Sequence, residues 1–385
     1  MKVAQVNVYF KPFMLGGAEW YVYNVSRELV RRGHEVHVFT ADTCNGEKAP
    51  AEETIDGISV HRLPLKLDLT YRLKWWDGLH EALSGQKFDV IHAYDYGQPH
   101  SATALRAGRD SGAATVLTVF DVHSMIPRSW YKRYPMRVME GYMSKRTLRG
   151  PDRILVRAPN LVEPLVALGG QRDKIEVTSS GVRDESVGTF DGTGFRRNHG
   201  IDAAPVVLYL GRLNPLKGPQ YLIDAAPAIL DRFPGTTFVL VGPEQSGFGS
   251  ELLERASRVG VQQRVRILGP IYDFAEKMSA YASCDVFSLP TSYEGTSQAI
   301  FEAMAQGKPI VSTSVGGVPY QVTDGLEGYL VPFSDADALA RRIIEVLGDP
   351  VLAARMGESG RKRVDRQRYS VLTSRVEEIY AEVAA

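Results

Sequence analysis

An alternation of short β-branched apolar runs with amphipathic stretches of helical period, passed through twice, most constrains what this chain can fold into. In the first pass Lys2–Val8, Glu35–Thr40, Ile58–Arg62, Phe88–Ala93, Thr115–Phe120, Arg153–Val156 and Lys174–Val177 read as strands. Between the first two, Ala18, Val22, Val25 and Leu29 fall on one apolar helix face that Gly33 closes. Further helices are expected over Tyr71–Leu83, Gln98–Ser111 and Asn160–Leu168. The pattern dissolves over Ser179–Gly200, rich in Gly, Ser and Thr, which is the linker candidate. It then resumes with strands Pro205–Leu210, Thr237–Val241, Arg264–Leu268, Val286–Leu289, Pro309–Thr313 and Gly328–Val331. Helices fill the gaps, and polar helices run to the end. Strands alternating with helices predict an α/β fold of two doubly wound parallel sheets, with ligands beyond the carboxyl ends of the strands.

At 385 residues, two domains of comparable size are the natural division. A formal net charge of zero gives no global reason to expect a nucleic-acid partner. Cys44 and Cys284 lie in different expected domains, which excludes a disulfide framework and any cysteine-based metal spacing. The chain opens directly on a strand, and no run of 18 apolar residues occurs, so the expected location is cytoplasmic. One segment qualifies this. Met125–Gly150 carries Arg128, Lys132, Arg133, Arg137, Lys145, Arg146 and Arg149 against the single acid Glu140, with Trp130, Tyr131, Tyr134 and Tyr142 interleaved. Such a helix either lies on an anionic membrane surface, at the inner face of the membrane, or is one more domain helix with a solvated face.

Two stretches carry chemistry. Ser292–Gly317 reads as a loop, a helix over Gly295–Gln306, a buried strand and a glycine turn. Glu294 and Glu302 stand eight residues apart, roughly 12 Å along a helix axis. The amides of Gly295, Thr296, Ser297 and Gln298 lie between them at the positive end of the helix dipole, which suits a phosphate. Spacing alone equally describes a solvated helix with two surface glutamates. The second stretch is the loop Gly211–Gly218, where Arg212 and Lys217 follow a buried strand and can meet phosphate oxygens as a planar fork and a point charge. In the first half, Gly16-Gly17 sits between a strand end and a helix N-terminus, where backbone can approach an anion or simply make a tight turn.

Taken together, GGAEWYV at Gly16, RRGHEVHVFT at Arg31, GRLNPLKG at Gly211, EGTSQAIFEAMAQGKPIVSTSVGGVP at Glu294 and DGLEGYLV at Asp324 resemble the retaining glycosyltransferases of family 4. The resemblance spans nearly the whole chain. It implies the GT-B fold, two Rossmann-like domains facing each other across a cleft. An acceptor-binding domain is expected over 1–185, joined by a tail helix of about 365–385 packing back on it, and a nucleotide-sugar-binding domain over 200–364. In that likeness Arg212 and Lys217 neutralise the diphosphate of a UDP-, GDP- or other nucleotide-sugar donor. Glu302 binds the ribose hydroxyls and Glu294 the donor sugar. The amides of Gly295, Thr296, Ser297 and Gln298 complete the donor contacts, and Gly16 and Gly17 let the first-domain loop reach the phosphate or the acceptor. No metal or cofactor is implied, and Asp335-Ala336-Asp337 reads better as a helix cap. The acceptor is expected to be a sugar, a lipid-linked group or a small molecule, held by loops carrying Tyr94, Asp95, Tyr96, Asp121, His123 and Trp130, and the protein to be a monomer or homodimer.

Three positions depart from the family pattern. Phe120 stands where a T-x-H-D strand end has its histidine, with His123 three residues further on. An apolar ring there suits a 6-deoxysugar or pentose donor. Tyr320 replaces the acid of the G-G-x-P-E turn, and Arg183 the acid of the N-G-V-D linker. A sugar-nucleotide epimerase or isomerase of the same architecture, or a catalytically silent sugar-nucleotide-binding subunit, stays open beside the transferase reading.

Overall fold

The computed structural model describes residues 1–14, 16–70, 73–122, 144–202 and 205–385. The chain divides into two compact units, Met1–Gly181 with Tyr369–Ala385, and Val182–Arg368. Each is built on a largely parallel sheet.

The strands of the first unit are β1 (Lys2–Val6), β2 (Glu35–Ala41), β3 (Thr43–Cys44), β4 (Glu47–Lys48), β5 (Glu52–Ile55), β6 (Ile58–Leu63), β7 (Leu65–Thr70), β8 (Leu73–Trp76), β9 (Val90–Tyr94), β10 (Ala114–Val119), β11 (Arg153–Val156) and β12 (Ile175–Val177). Eight of them form one sheet in the order β12-β11-β10-β9-β1-β2-β6-β5. All neighbours are parallel except β5, which pairs antiparallel with β6. The C-terminal helix Tyr369–Ala384 packs on the helix Gly17–Arg31 and on β10. Its Tyr380 enters the core, where its hydroxyl meets Gln5 Nε2 at 3.2 Å and His92 Nδ1 at 2.5 Å. His92 Nε2 meets Thr118 Oγ1 at 2.7 Å, and Tyr94 donates to Gln5 Oε1 at 2.6 Å. This closed polar network sits among Val3, Val90, Val116 and Leu155, which is why each of its members needs a partner.

The second unit holds β13 (Val206–Leu210), β14 (Thr237–Val241), β15 (Val265–Leu268), β16 (Val286–Leu289), β17 (Ile310–Thr313) and β18 (Gly328–Val331), all parallel, in the order β15-β14-β13-β16-β17-β18. The chain winds outward from β13 to one edge, then returns and winds from β16 to the other. The switch point therefore lies between the carboxyl ends of β13 and β16, where ligands settle in open α/β sheets.

Two expectations for elements fail. Tyr71–Leu83 is not a single helix: Leu73–Trp76 is a strand hairpinned with β7, and only Leu79–Ser84 is helical. Lys74 and Trp76 are buried while Trp75 is 53% exposed, an in-and-out alternation that belongs to a strand, and Gly78 just before the helix holds φ 72°. The linker stretch also contains a helix, Gly192–Asn198, capped by Asp191, which accepts from the Gly194 amide at 2.7 Å. The basic aromatic segment lies outside the described residues except for 144–150. Among the described residues no helix is long and apolar enough to cross a membrane.

Candidate active site

The loops following β13 and β16 are stitched together. Ser292 donates its backbone N–H and its hydroxyl to the Leu216 carbonyl, at 2.8 and 2.9 Å. Thr291 Oγ1 reaches the same carbonyl at 3.1 Å. Gly218, at φ 75°, lets the first loop lie against the Pro290 carbonyl, a place an added methyl would occupy. Gly316, at φ 53°, does the same for the glycine turn against Glu294, whose carbonyl accepts from the Gly317 amide at 2.8 Å. The loop Gly211–Gly218 is tied to the β14 side as well: Leu213 donates to the Pro243 carbonyl at 2.9 Å, and buried Tyr209 donates to the Arg212 carbonyl at 2.8 Å. Burial pushes the Tyr209 phenol well above its ordinary value, with the nearby Glu294 charge adding to the shift, so it stays a donor. Asn214 Oδ1 accepts from the Lys217 amide at 3.0 Å and shapes the last turn before the lysine.

On this frame Lys217 Nζ is hydrogen-bonded to Glu294 Oε1. Glu294 is 9% exposed, so its charge is largely withdrawn from water and compensated by the lysine. Arg212 is exposed in the same loop, and no described residue forms an ion pair with it. Glu302, 8% exposed, is held by Lys277 Nζ at 2.6 Å on Oε1 and by the Tyr281 hydroxyl at 3.0 Å on Oε2. The site thus carries three cations, Arg212, Lys217 and Lys277, and two nearly buried carboxylates.

Several expectations change. The helix begins at Gln298 and ends at Ala305, so the Glu294–Gly295–Thr296–Ser297 stretch is loop and the 12 Å axial estimate does not apply. The four amides expected to be open are not all so, because Ser297 donates to Gln321 Oε1 at 2.7 Å while Gln321 returns a bond to the Ser297 carbonyl at 2.8 Å. That clamp comes from the short helix Val318–Gln321 behind the glycine turn, and no pattern in the chain points to it. Lys277 and Tyr281 were also missed. They stand four apart on one face of the helix Phe274–Ser283, a spacing that could have marked them as a pair. Asp335 does cap its helix, accepting from the Ala338 amide at 2.8 Å.

In the first unit the switch point falls between β1 and β9. Gly16 and Gly17 stand beside it at the mouth of the helix Gly17–Arg31, and Asp95 follows β9 with φ 67°, a strained conformation for a side-chain-bearing residue. Gly16 is extended, and an added methyl would meet only the Glu19 carboxylate at 3.6 Å, so its backbone does not require glycine. Glu19, 3% exposed in the first helical turn, places a carboxyl group where an anion was expected. Tyr94 is a core residue rather than a pocket wall: it is fully buried and its hydroxyl is committed to Gln5. Tyr96 is fully buried too. Phe120, 7% exposed, stacks on Tyr94 with ring centres 5.9 Å apart, meets Tyr21 edge-on at 5.5 Å and lies under the Arg157 guanidinium at 5.2 Å. Asp121 is half-buried beside it, while His123 and Trp130 lie outside the described residues.

Two parallel α/β units, the second with cations and carboxylates at its switch point, define a class of nucleotide-handling proteins. Comparison narrows it. Residues 193–363 match the model of the glycosyl transferases group 1, and residues 16–181 that of the glycosyl transferase 4-like domain, together most of the chain. The D-inositol 3-phosphate glycosyltransferase of Mycolicibacterium gilvum is 28% identical over 94% of this chain and 85% of its own length. The Anabaena HepE protein, solved with UDP and glucose, superposes with a TM-score of 0.80 at 21% identity, over 99% of this chain and 100% of HepE. Sucrose-phosphate synthase from Thermosynechococcus elongatus gives 0.80 at 23% identity, over 99% and 98%. The chain belongs to the family 4 glycosyltransferases of GT-B fold.

Proposed function

We propose that this glycosyltransferase moves a sugar from a nucleoside-diphosphate sugar to an acceptor hydroxyl, with retention at the anomeric carbon and without a metal ion. The observation that carries the proposal is the pairing of Lys217 with Glu294 across the switch point, with Arg212 exposed in the same loop. A lysine held there by a carboxylate is poised to exchange that partner for a diphosphate, leaving Glu294 free to accept hydrogen bonds from the donor sugar. Arg212 and Lys217 would then stabilise the charge that builds on the diphosphate as the bond from the anomeric carbon to its oxygen breaks. The acceptor oxygen bonds to that carbon on the face the diphosphate leaves, and its proton passes to the departing phosphate oxygen. No protein nucleophile is needed, and the work is positioning and electrostatics. HepE was solved with UDP and with UDP-glucose, and one further neighbour with UDP-2-fluoro glucose, which favours a uridine donor among those to try first.

The test is a thermal-shift panel of UDP, GDP and their sugars, followed by transfer assays with the binding donor in excess chelator. A raised Tm identifies the donor, and proton NMR of the product compares its anomeric configuration with that of the donor. An inverted product would refute retention, and full loss of turnover with chelator would refute metal independence. Epimerised donor, or binding without hydrolysis or transfer, would refute the transferase assignment.

A further inference from the structure

We propose that Lys277 and Tyr281 are positioning residues that orient the Glu302 carboxylate so that it selects ribonucleotide over deoxyribonucleotide donors. The inference rests on the reading that Glu302 binds the donor ribose.

A carboxylate offers about four acceptor sites, two on each oxygen, and its terminal torsion is broad, so an unrestrained glutamate does not present them in a fixed direction. Here the two oxygens are each engaged once. Lys277 Nζ holds Oε1 at 2.6 Å and the Tyr281 hydroxyl holds Oε2 at 3.0 Å. Both holders come from the helix Phe274–Ser283, which faces the helix Gln298–Ala305 that carries Glu302. Tyr281 is fully buried, and burial together with the neighbouring carboxylate pushes its phenol well above the ordinary value, so it remains protonated and can only donate to Glu302. Lys277 is steadied in turn: its ammonium lies 5.9 Å from the Phe274 ring, and that ring is covered on one side by the Arg183 guanidinium at 3.8 Å. With Glu302 only 8% exposed, the pair differs from the surface ion pairs that contribute little. Two fixed donors leave about one acceptor site on each oxygen. A vicinal diol supplies two donors at matching separation, and a nucleotide lacking one of its ribose hydroxyls leaves one nearly buried acceptor unsatisfied.

The experiment measures binding of UDP, GDP and their 2′-deoxy counterparts by calorimetry to the intact wild type, Lys277→Met, Lys277→Arg and Tyr281→Phe. The wild type is expected to prefer the ribonucleotide by about tenfold or more, the range of a hydrogen bond to a charged group. Lys277→Met should compress that ratio to about threefold or less, mainly through weaker ribonucleotide binding, and Lys277→Arg should restore it. Tyr281→Phe, which removes one oxygen and no carbon, should compress it as well. Transfer at saturating donor should change little in Lys277→Met, with the loss appearing in KM. A variant that binds both nucleotides more weakly at an unchanged ratio would show that Lys277 adds charge only, and would overturn the positioning role. Failure of the wild type to bind either ribonucleotide would overturn this inference together with the donor reading, a result distinct from an unchanged ratio.

Discussion

In the unit Val182–Arg368 the switch point between β13 and β16 holds Lys217, Glu294 and Arg212 on loops that close on one another through backbone bonds. In the other unit the equivalent position between β1 and β9 is flanked inside the sheet by Gln5, His92, Tyr94 and Thr118, whose polar atoms are turned inward and closed by Tyr380 from the far end of the chain. The same parallel winding thus serves opposite ends. One unit holds polar groups at the rim, ready to exchange partners with a ligand. The other consumes them in its core, where they tie the last helix to the sheet. The histidines sharpen the contrast, since His199 is the one histidine between Val182 and Arg368.

The largest effect is expected at the rim. Lys217→Ala should cost about 2–4 kcal/mol of transition-state stabilisation in kcat/KM for the donor, the range for a preorganised charge stabiliser. Glu294→Ala combined with it should cost less than the sum of the two, because each single change strands the other's charge. Additive losses would break the claim that the two act as a unit.

Acid should separate the two units next. Burial holds His92 down to about 3 and His100 likewise down to about 3, from an ordinary 6.5. Above pH 6.5 neither the folded nor the unfolded chain protonates them, and their contribution to stability is fully present. Below it the unfolded chain takes up protons that the folded one refuses, so the first unit loses about 1.4 kcal/mol per pH unit for each imidazole as pH falls towards 3. Hydrogen exchange followed separately in each unit at pH 7 and 5.5 should show protection falling more steeply in Met1–Gly181. Equal slopes would refute the contrast, and His100→Phe should remove one proton's share of it.

Tyr380→Phe should destabilise the first unit by about 1–3 kcal/mol, because Gln5 Nε2 loses this partner and His92 Nδ1 keeps only the long contact to the Tyr94 hydroxyl at 3.4 Å. Donor binding at a permissive temperature should be unchanged, and weakened donor binding would show that the core network also supports the rim. The smallest effect is expected at Phe120. Phe120→His should shift donor preference towards a hexose with a 6-hydroxyl by about 1 kcal/mol, a single exposed-side hydrogen bond. Because Phe120 is only 7% exposed, no change in preference would mark it as a packing residue and remove the deoxysugar expectation.

Much of the fold was legible because its signals are local. Thr237–Val241 and Val286–Leu289, buried at every position, have the bounds read from their mostly apolar runs, as central strands covered on both faces should, and the edge strand Gly328–Val331 has its expected bounds too. Leu73–Trp76 was misread because a helical and an alternating period are hard to tell apart over four residues, and Gly192–Asn198 because its glycines masked a capped turn. Glu294, Glu302, Arg212 and Lys217 stood out by their place after strands. Lys277, Tyr281 and Gln321 did not: the four-residue spacing of Lys277 and Tyr281 marks a pair without naming Glu302 as what it holds, and nothing around Gln321 points to Ser297.

By itself the sequence determined the alternation, and with it two doubly wound sheets and the loops on which charge collects, because periodicity and glycine placement act within a few residues. Only the tertiary structure decided strand order and therefore the switch point. It also decided that Lys217 meets Glu294 across 77 residues and that Tyr380 closes on Gln5 across 375. Such pairings depend on which strands become neighbours, and that choice is made by burying the whole sheet at once.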